Sequence, residues 1–181
     1  KETMESEFFE EWFKEIFLRD IENPKFYLNE EIINIAVNFI EKVVVHYQGE
    51  SVKAVSLRNK PMELQEWQMF IVVNLLGFYK TGTVETRFKE SLVFIPRKQG
   101  KTAFTASLAL CRSLMERKSS SKCYIVAAGI RQSLEAFGFM RFNVDRWHDK
   151  HISIKDNNSE HSITGEFGKE GSFFVQALAN D

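Results

Sequence analysis

Residues 91–102 read Ser-Leu-Val-Phe-Ile-Pro-Arg-Lys-Gln-Gly-Lys-Thr, and no other stretch restricts the possible folds as tightly. Ser91 to Ile95 is a short apolar run with the length and composition of a buried strand. From about Gly100 to Arg117, Ala103, Phe104, Ala106, Leu108, Ala109, Leu110 and Leu114 give a helical pattern. Gly-Lys-Thr between a strand and a helix is a nucleotide-site candidate. Backbone N–H groups of the turn and of the first helical residues converge there, and the helix dipole adds partial positive charge. Gly100 lets the backbone approach phosphate without a Cβ in the way. Lys101 can then reach the β- and γ-phosphates, and the Thr102 hydroxyl can ligate Mg²⁺.

The usual phosphate-loop pattern is GxxxxGK[ST], and Ile95 stands where its first Gly would be. A plainer reading makes Arg97, Lys98 and Lys101 a solvated basic turn. Against it, three cations beside bare helix N–H donors oppose the dipole unless an anion is bound.

The remaining elements imply an α/β fold with a mainly parallel sheet flanked by helices. Lys122 to Ala127 (KCYIVA) reads as a strand and Ile130 to Val144 as a helix, with Leu134, Phe137 and Met140 inward. HISI (151–154), HSITG (161–165) and SFFVQAL (172–178) have strand character. Upstream, Phe8, Phe9, Trp12, Phe13, Ile16 and Phe17 mark one face of a helix, opposite Glu7, Glu10, Glu11 and Glu15. Asn29 can cap a second helix with Glu30 and Glu31 in its first turn. A third spans roughly Glu63 to Phe78, with Gly77 and Gly82 in its end region. This divides the chain into an acidic helical region, 1–60, and an α/β core carrying the candidate phosphate loop, 61–181. Charge divides similarly: residues 1–50 carry five Lys/Arg against twelve Asp/Glu, and residues 51–181 carry nineteen against thirteen. A mildly basic second part could face phosphate.

The loop resembles the deviant Walker A motif of tailed-phage terminase large subunits, which lacks the first Gly and carries an Arg three residues before the second. Arg97 and Gly100 hold those positions within Pro96-Arg97-Lys98-Gln99-Gly100-Lys101-Thr102. Leu64-Gln65-Glu66-Trp67-Gln68 is similar to the family's L-x-x-W-Q element, and Gly77-Phe78 to the Gly-aromatic that follows. Ala127-Ala128 to Gln132 resembles its Ala-Ala…Gln segment, and the stretch to His46 and Gly49 its usual lead-in. The resemblance covers roughly residues 35 to 145.

The resemblance implies a P-loop ATPase that drives double-stranded DNA into a procapsid, using ATP and Mg²⁺. Arg97 and Lys101 would act on the phosphates, with Arg97 a cis-acting cation near the γ-phosphate. Nucleotide would lie against Arg97, Lys98, Gln99, Gly100, Lys101, Thr102 and Ala103, with Thr102 holding Mg²⁺. Gln68 would hydrogen-bond adenine, with Trp67 nearby; Trp67 reads equally well as a core aromatic. Gln132 is carried over by the same resemblance. The family's apolar strand ending in Asp-Glu, the Walker B element, does not occur here, and Ala177-Leu178-Ala179-Asn180-Asp181 resembles the stretch just upstream of it. The expectation is a chain truncated before Walker B, without the nuclease domain and near zero in hydrolysis. Expected partners are double-stranded DNA, the terminase small subunit, the portal protein and further copies in a ring. Two rival readings are another helicase-like P-loop translocase and a non-catalytic interaction fragment docking through its acidic front.

Other features are bland. Trp147-His148-Asp149-Lys150-His151 supplies too few ligands for a metal. Asp156-Asn157-Asn158-Ser159-Glu160 reads as a polar turn, without the Gly and Glu of a calcium loop. Cys111 and Cys123 lie in apolar stretches and read as buried free thiols of a reducing compartment. Neither a signal peptide nor an 18-residue apolar run is present, so the expected location is the cytoplasm of a bacterial host, with no membrane segment.

Overall fold

A computed structural model of the chain describes residues 11, 14–51 and 55–179. The expected aromatic positions Phe8, Phe9, Trp12 and Phe13 lie outside the described residues. The chain divides by packing into two compact units, Lys1–Val37 with Leu64–Phe94, and Asn38–Glu63 with Ile95–Asp181.

The first unit holds helix α1 (14–21), strand β1 (Phe26–Leu28), helix α2 (Glu30–Asn38, its last residue in the other unit), helix α3 (Glu66–Val72) and strand β2 (Phe78–Lys80). Asn29 caps α2 as its side chain allows, the Oδ1 accepting the Ile32 N–H at 3.2 Å. A π-helical turn, Val73–Gly77, follows α3. β1 and β2 pair antiparallel, and the rings of Tyr27 and Tyr79 stack across the pair at 5.7 Å. Gly77 is required by close approach: a Cβ there would lie 2.6 Å from Ile33 Cδ1. Asp20, 4% exposed, is held by Arg87, whose Nη1 lies 2.8 Å from its Oδ2. That contact is an ion pair without the geometry of a directed hydrogen bond.

The second unit contains helix α4 (Lys101–Met115), strand β3 (Ser121–Ala127), helix α5 (Ile130–Asp145) and strands β4 (Ile152–Asp156), β5 (His161–Glu166) and β6 (Ser172–Ala179). Four strands form one sheet in the order β3-β6-β5-β4. Phe104, Leu110 and Cys111 of α4 and Phe137, Met140 and Val144 of α5 are buried with Ile163, Phe173, Val175 and Ala177 of the sheet. At about 25 cal/mol per Å² of apolar area, this burial is the main stabilising contribution in the unit. The opposite sheet face is left open at Tyr124 and Val126, 52% and 59% exposed.

Two expectations need correction. The sheet is mixed rather than mainly parallel: β3 and β6 are parallel, whereas β6 with β5 and β5 with β4 are antiparallel. The connections 157–160 and 167–171 are too short for a parallel crossover, which needs a dozen residues or more. In addition, residues 91–95 pair with no strand among the described residues. Leu92 and Phe94 are 91% and 93% exposed, not buried. An apolar run records a tendency to be covered; a strand also needs a neighbour for its N–H and C=O groups.

Candidate functional site

The loop before α4 is built by two left-handed residues. Lys98 has φ +67° and Gly100 φ +72°, and Gly100 is the N-cap of α4. Nothing lies within 4 Å of a Cβ built on Gly100, so its role is conformational freedom at the turn. The first intrahelical bond runs from Phe104 N–H to Gly100 C=O at 3.0 Å.

Helix α4 therefore begins at Lys101 with no side chain capping it and no acidic residue in its first turn. The N–H groups of Lys101, Thr102 and Ala103 are the unsatisfied donors of a helix start. The turn into that positive end carries Arg97 and Lys98, and Lys101 opens the helix; all three are exposed, and none forms an ion pair among the described residues. The Lys101 ammonium turns back over the loop to donate to the Ile95 carbonyl at 3.5 Å, a long and easily exchanged contact. Gln99 and Thr102 are exposed and Ala103 is half-buried. Arg97 to Thr102 thus form one continuous run of exposed residues. Donors and cations without a counter-charge suit an anion.

Trp67 and Gln68 belong to the first unit, in the first turn of α3. Gln68 is 5% exposed, and its Oε1 accepts the Gln65 N–H at 2.8 Å in a capping box. Trp67 is half-buried and makes a contact of its own. Gln132 is exposed in the first turn of α5, whose N-cap is Gly129.

The ATPase-domain profile of the terminase large subunit matches residues 66–169. This span takes in α3, the loop, α4, β3, α5 and the β4–β5 hairpin, more than half of the chain. The chain belongs to the terminase large subunit family. Membership makes it a phage DNA-packaging ATPase in type, and terminase ATPase domains use a nucleotide. Curated proteins and solved structures give no match.

Other candidates resolve simply. No group of three or more metal-binding side chains occurs among the described residues. No described helix is long and apolar enough to cross a membrane. Cys111 is buried, and burial pushes its thiol up to about 11; burial also raises the half-buried Cys123. Both thiols are therefore poor nucleophiles.

Sequence reasoning missed the left-handed Lys98, which no propensity rule points to. It also missed a second cationic cluster, around Phe142, whose members are scattered over 100 residues.

Proposed function

We propose that this terminase chain binds ATP·Mg²⁺ at the loop and first turn of α4, and that the bound nucleotide powers movement of double-stranded DNA in the assembled motor. The observation that carries the reading is the uncapped α4 start on an exposed, glycine-capped turn that carries three cations without an ion pair. In this reading the N–H groups of Gly100 to Ala103 receive phosphate oxygens and Lys101 leaves the Ile95 carbonyl to neutralise them. Arg97 supplies a further positive charge towards the terminal phosphate. The Thr102 hydroxyl holds Mg²⁺, which would neutralise charge on the phosphates when bound. By the same family resemblance, Gln68 and Trp67 are assigned to the adenine. Gln99 and Lys98 line the loop.

Partners in this reading are duplex DNA held through its phosphates, the small subunit, the portal protein and further copies of the chain. Nucleotide binding is the direct readout of this assignment. Isothermal titration with a non-hydrolysable ATP analogue and Mg²⁺ tests the assignment. Saturable heat is expected for the native chain and at least a tenfold weaker affinity for Lys101→Ala. Equal heats for the two would reject the loop as the site.

A further inference from the structure

The second unit carries a cationic feature that the nucleotide reading does not use. After the π-helical turn Phe39–Val43, the chain makes an excursion from Val45 to Pro61 whose two ends are paired. His46 N–H donates to Lys60 C=O and Asn59 N–H to His46 C=O, both at 2.9 Å. Asn143 of α5, 1% exposed, pins its base: Oδ1 accepts the Val45 N–H at 2.8 Å, and Nδ2 donates to the Val45 carbonyl at 3.1 Å. The same Nδ2 also reaches the Phe139 carbonyl at 3.0 Å.

That anchor sets Arg58 beside the α5 aromatic Phe142. Its guanidinium carbon lies 4.9 Å from the Phe142 ring centroid and 5.5 Å from that of Tyr47. Arg146, one helical turn beyond Phe142, places its own guanidinium 5.9 Å from the same Phe142 centroid. Arg146 Nη1 also donates to Asn59 Oδ1 at 2.9 Å, and Asn59 is held at φ +65°. The two guanidinium carbons are therefore at most about 11 Å apart.

Both arginines are exposed, and neither forms an ion pair with a carboxylate among the described residues, Asp145 included. A guanidinium stacked on a ring uses its face and keeps its N–H edge for in-plane acceptors. Two such edges, ordered by aromatic contacts and lacking a counter-anion, fit oxygens of successive phosphates. With their carbons no more than about 11 Å apart, the two guanidinium groups are close enough to meet neighbouring phosphates of one duplex strand.

We infer that Arg58 and Arg146, mounted on Tyr47 and Phe142, form a contact surface for the phosphate backbone of duplex DNA. The choice of duplex DNA among polyanions rests on the proposed function; the unpaired arginine cluster does not.

Fluorescence anisotropy of the full chain with a labelled 25-base-pair duplex, at several salt concentrations, tests the surface. Arg58→Gln/Arg146→Gln is compared with Lys118→Gln/Lys169→Gln, which removes the same charge from exposed positions elsewhere on the unit. The arginine pair is expected to weaken binding about tenfold and to lower the log–log salt slope by about 1.8, near 0.9 per lost phosphate contact. The lysine pair is expected to stay close to the native chain. An equal loss in both variants, an unchanged slope, or no binding of duplex by the native chain would overturn the assignment. Titration of the same samples with the ATP analogue separates the two readings. Unchanged duplex binding beside intact nucleotide binding refutes this surface alone, whereas a native chain that binds no nucleotide fails the loop assignment.

Discussion

Lys101 Nζ and the Ile95 carbonyl oxygen stand 3.5 Å apart, closing the loop over the start of α4 with the chain's own lysine. The lysine thereby gives the loop carbonyl a weak partner while the helix donors beneath it stay uncapped. A phosphate would offer the ammonium a charged acceptor in place of a neutral one, and charge-assisted hydrogen bonds are roughly twice as strong.

Gly100 supports that turn through its backbone alone. Because φ is +72° and a Cβ would meet nothing within 4 Å, Gly100→Ala adds conformational strain without a clash. A cost of about 1–2 kcal/mol is expected, with a melting temperature lower by about 2–8 °C. Thermal unfolding followed by circular dichroism measures it, and an unchanged midpoint would show that the left-handed turn is not needed for the fold.

Asp20 and Arg87 should behave as a unit. Asp20→Ala leaves the Arg87 guanidinium, its side chain 15% exposed, beside Phe26 and Phe88 without its carboxylate. A loss of about 3 kcal/mol is expected from breaking a buried pair on one side. Urea unfolding of Asp20→Ala, Arg87→Leu and the double variant checks this: the double variant should lose less than the two single losses together.

Asn143→Ala should also be costly, because the Val45 N–H and C=O lose a partner in a buried place. About 2–4 kcal/mol is expected from two backbone groups left unsatisfied. Amide hydrogen exchange should show faster exchange at Val45 than at Ile163, which lies in the sheet core.

Asp156 on β4 gives the acid limb of stability. His161 Nδ1 lies 2.6 Å from its Oδ1, and this hydrogen bond is the main reason its carboxyl sits below the ordinary value. The charge of Arg141 adds to the shift, and burial opposes it. A carboxylate whose folded pKa is depressed binds fewer protons folded than unfolded, so its contribution is present above about pH 4 and fades as pH falls through the folded value. The difference in melting temperature between the native chain and Asp156→Asn should therefore shrink as pH falls below about 4. A difference that grows as pH falls below about 4 would contradict the pairing.

Much of the local structure was legible because it is dictated locally. The apolar spacing of Phe104, Leu110 and Leu114 predicts α4, and KCYIVA predicts β3, since period and β-branching are properties of short segments. The Asn29 cap follows from one side chain. Sheet direction was harder to read, yet the four-residue turn after Asp156 already required an antiparallel neighbour. That Ser91 to Ile95 pairs with no strand among the described residues could not be read from its composition, because apolarity does not name a partner strand. In the candidate site, Gly100, Lys101 and Thr102 were legible from a contiguous motif. Arg58 and Arg146 were not, since tertiary folding alone brings residues so far apart in sequence to one ring.

Amide hydrogen–deuterium exchange across residues 97–105, with and without an ATP analogue and Mg²⁺, addresses the account at its base. If backbone donors at the start of α4 hold the phosphates, exchange at Gly100 to Ala103 slows on adding nucleotide, and Lys101→Ala abolishes that protection. Saturating nucleotide that leaves these amides unchanged, while slowing exchange elsewhere, would contradict the account.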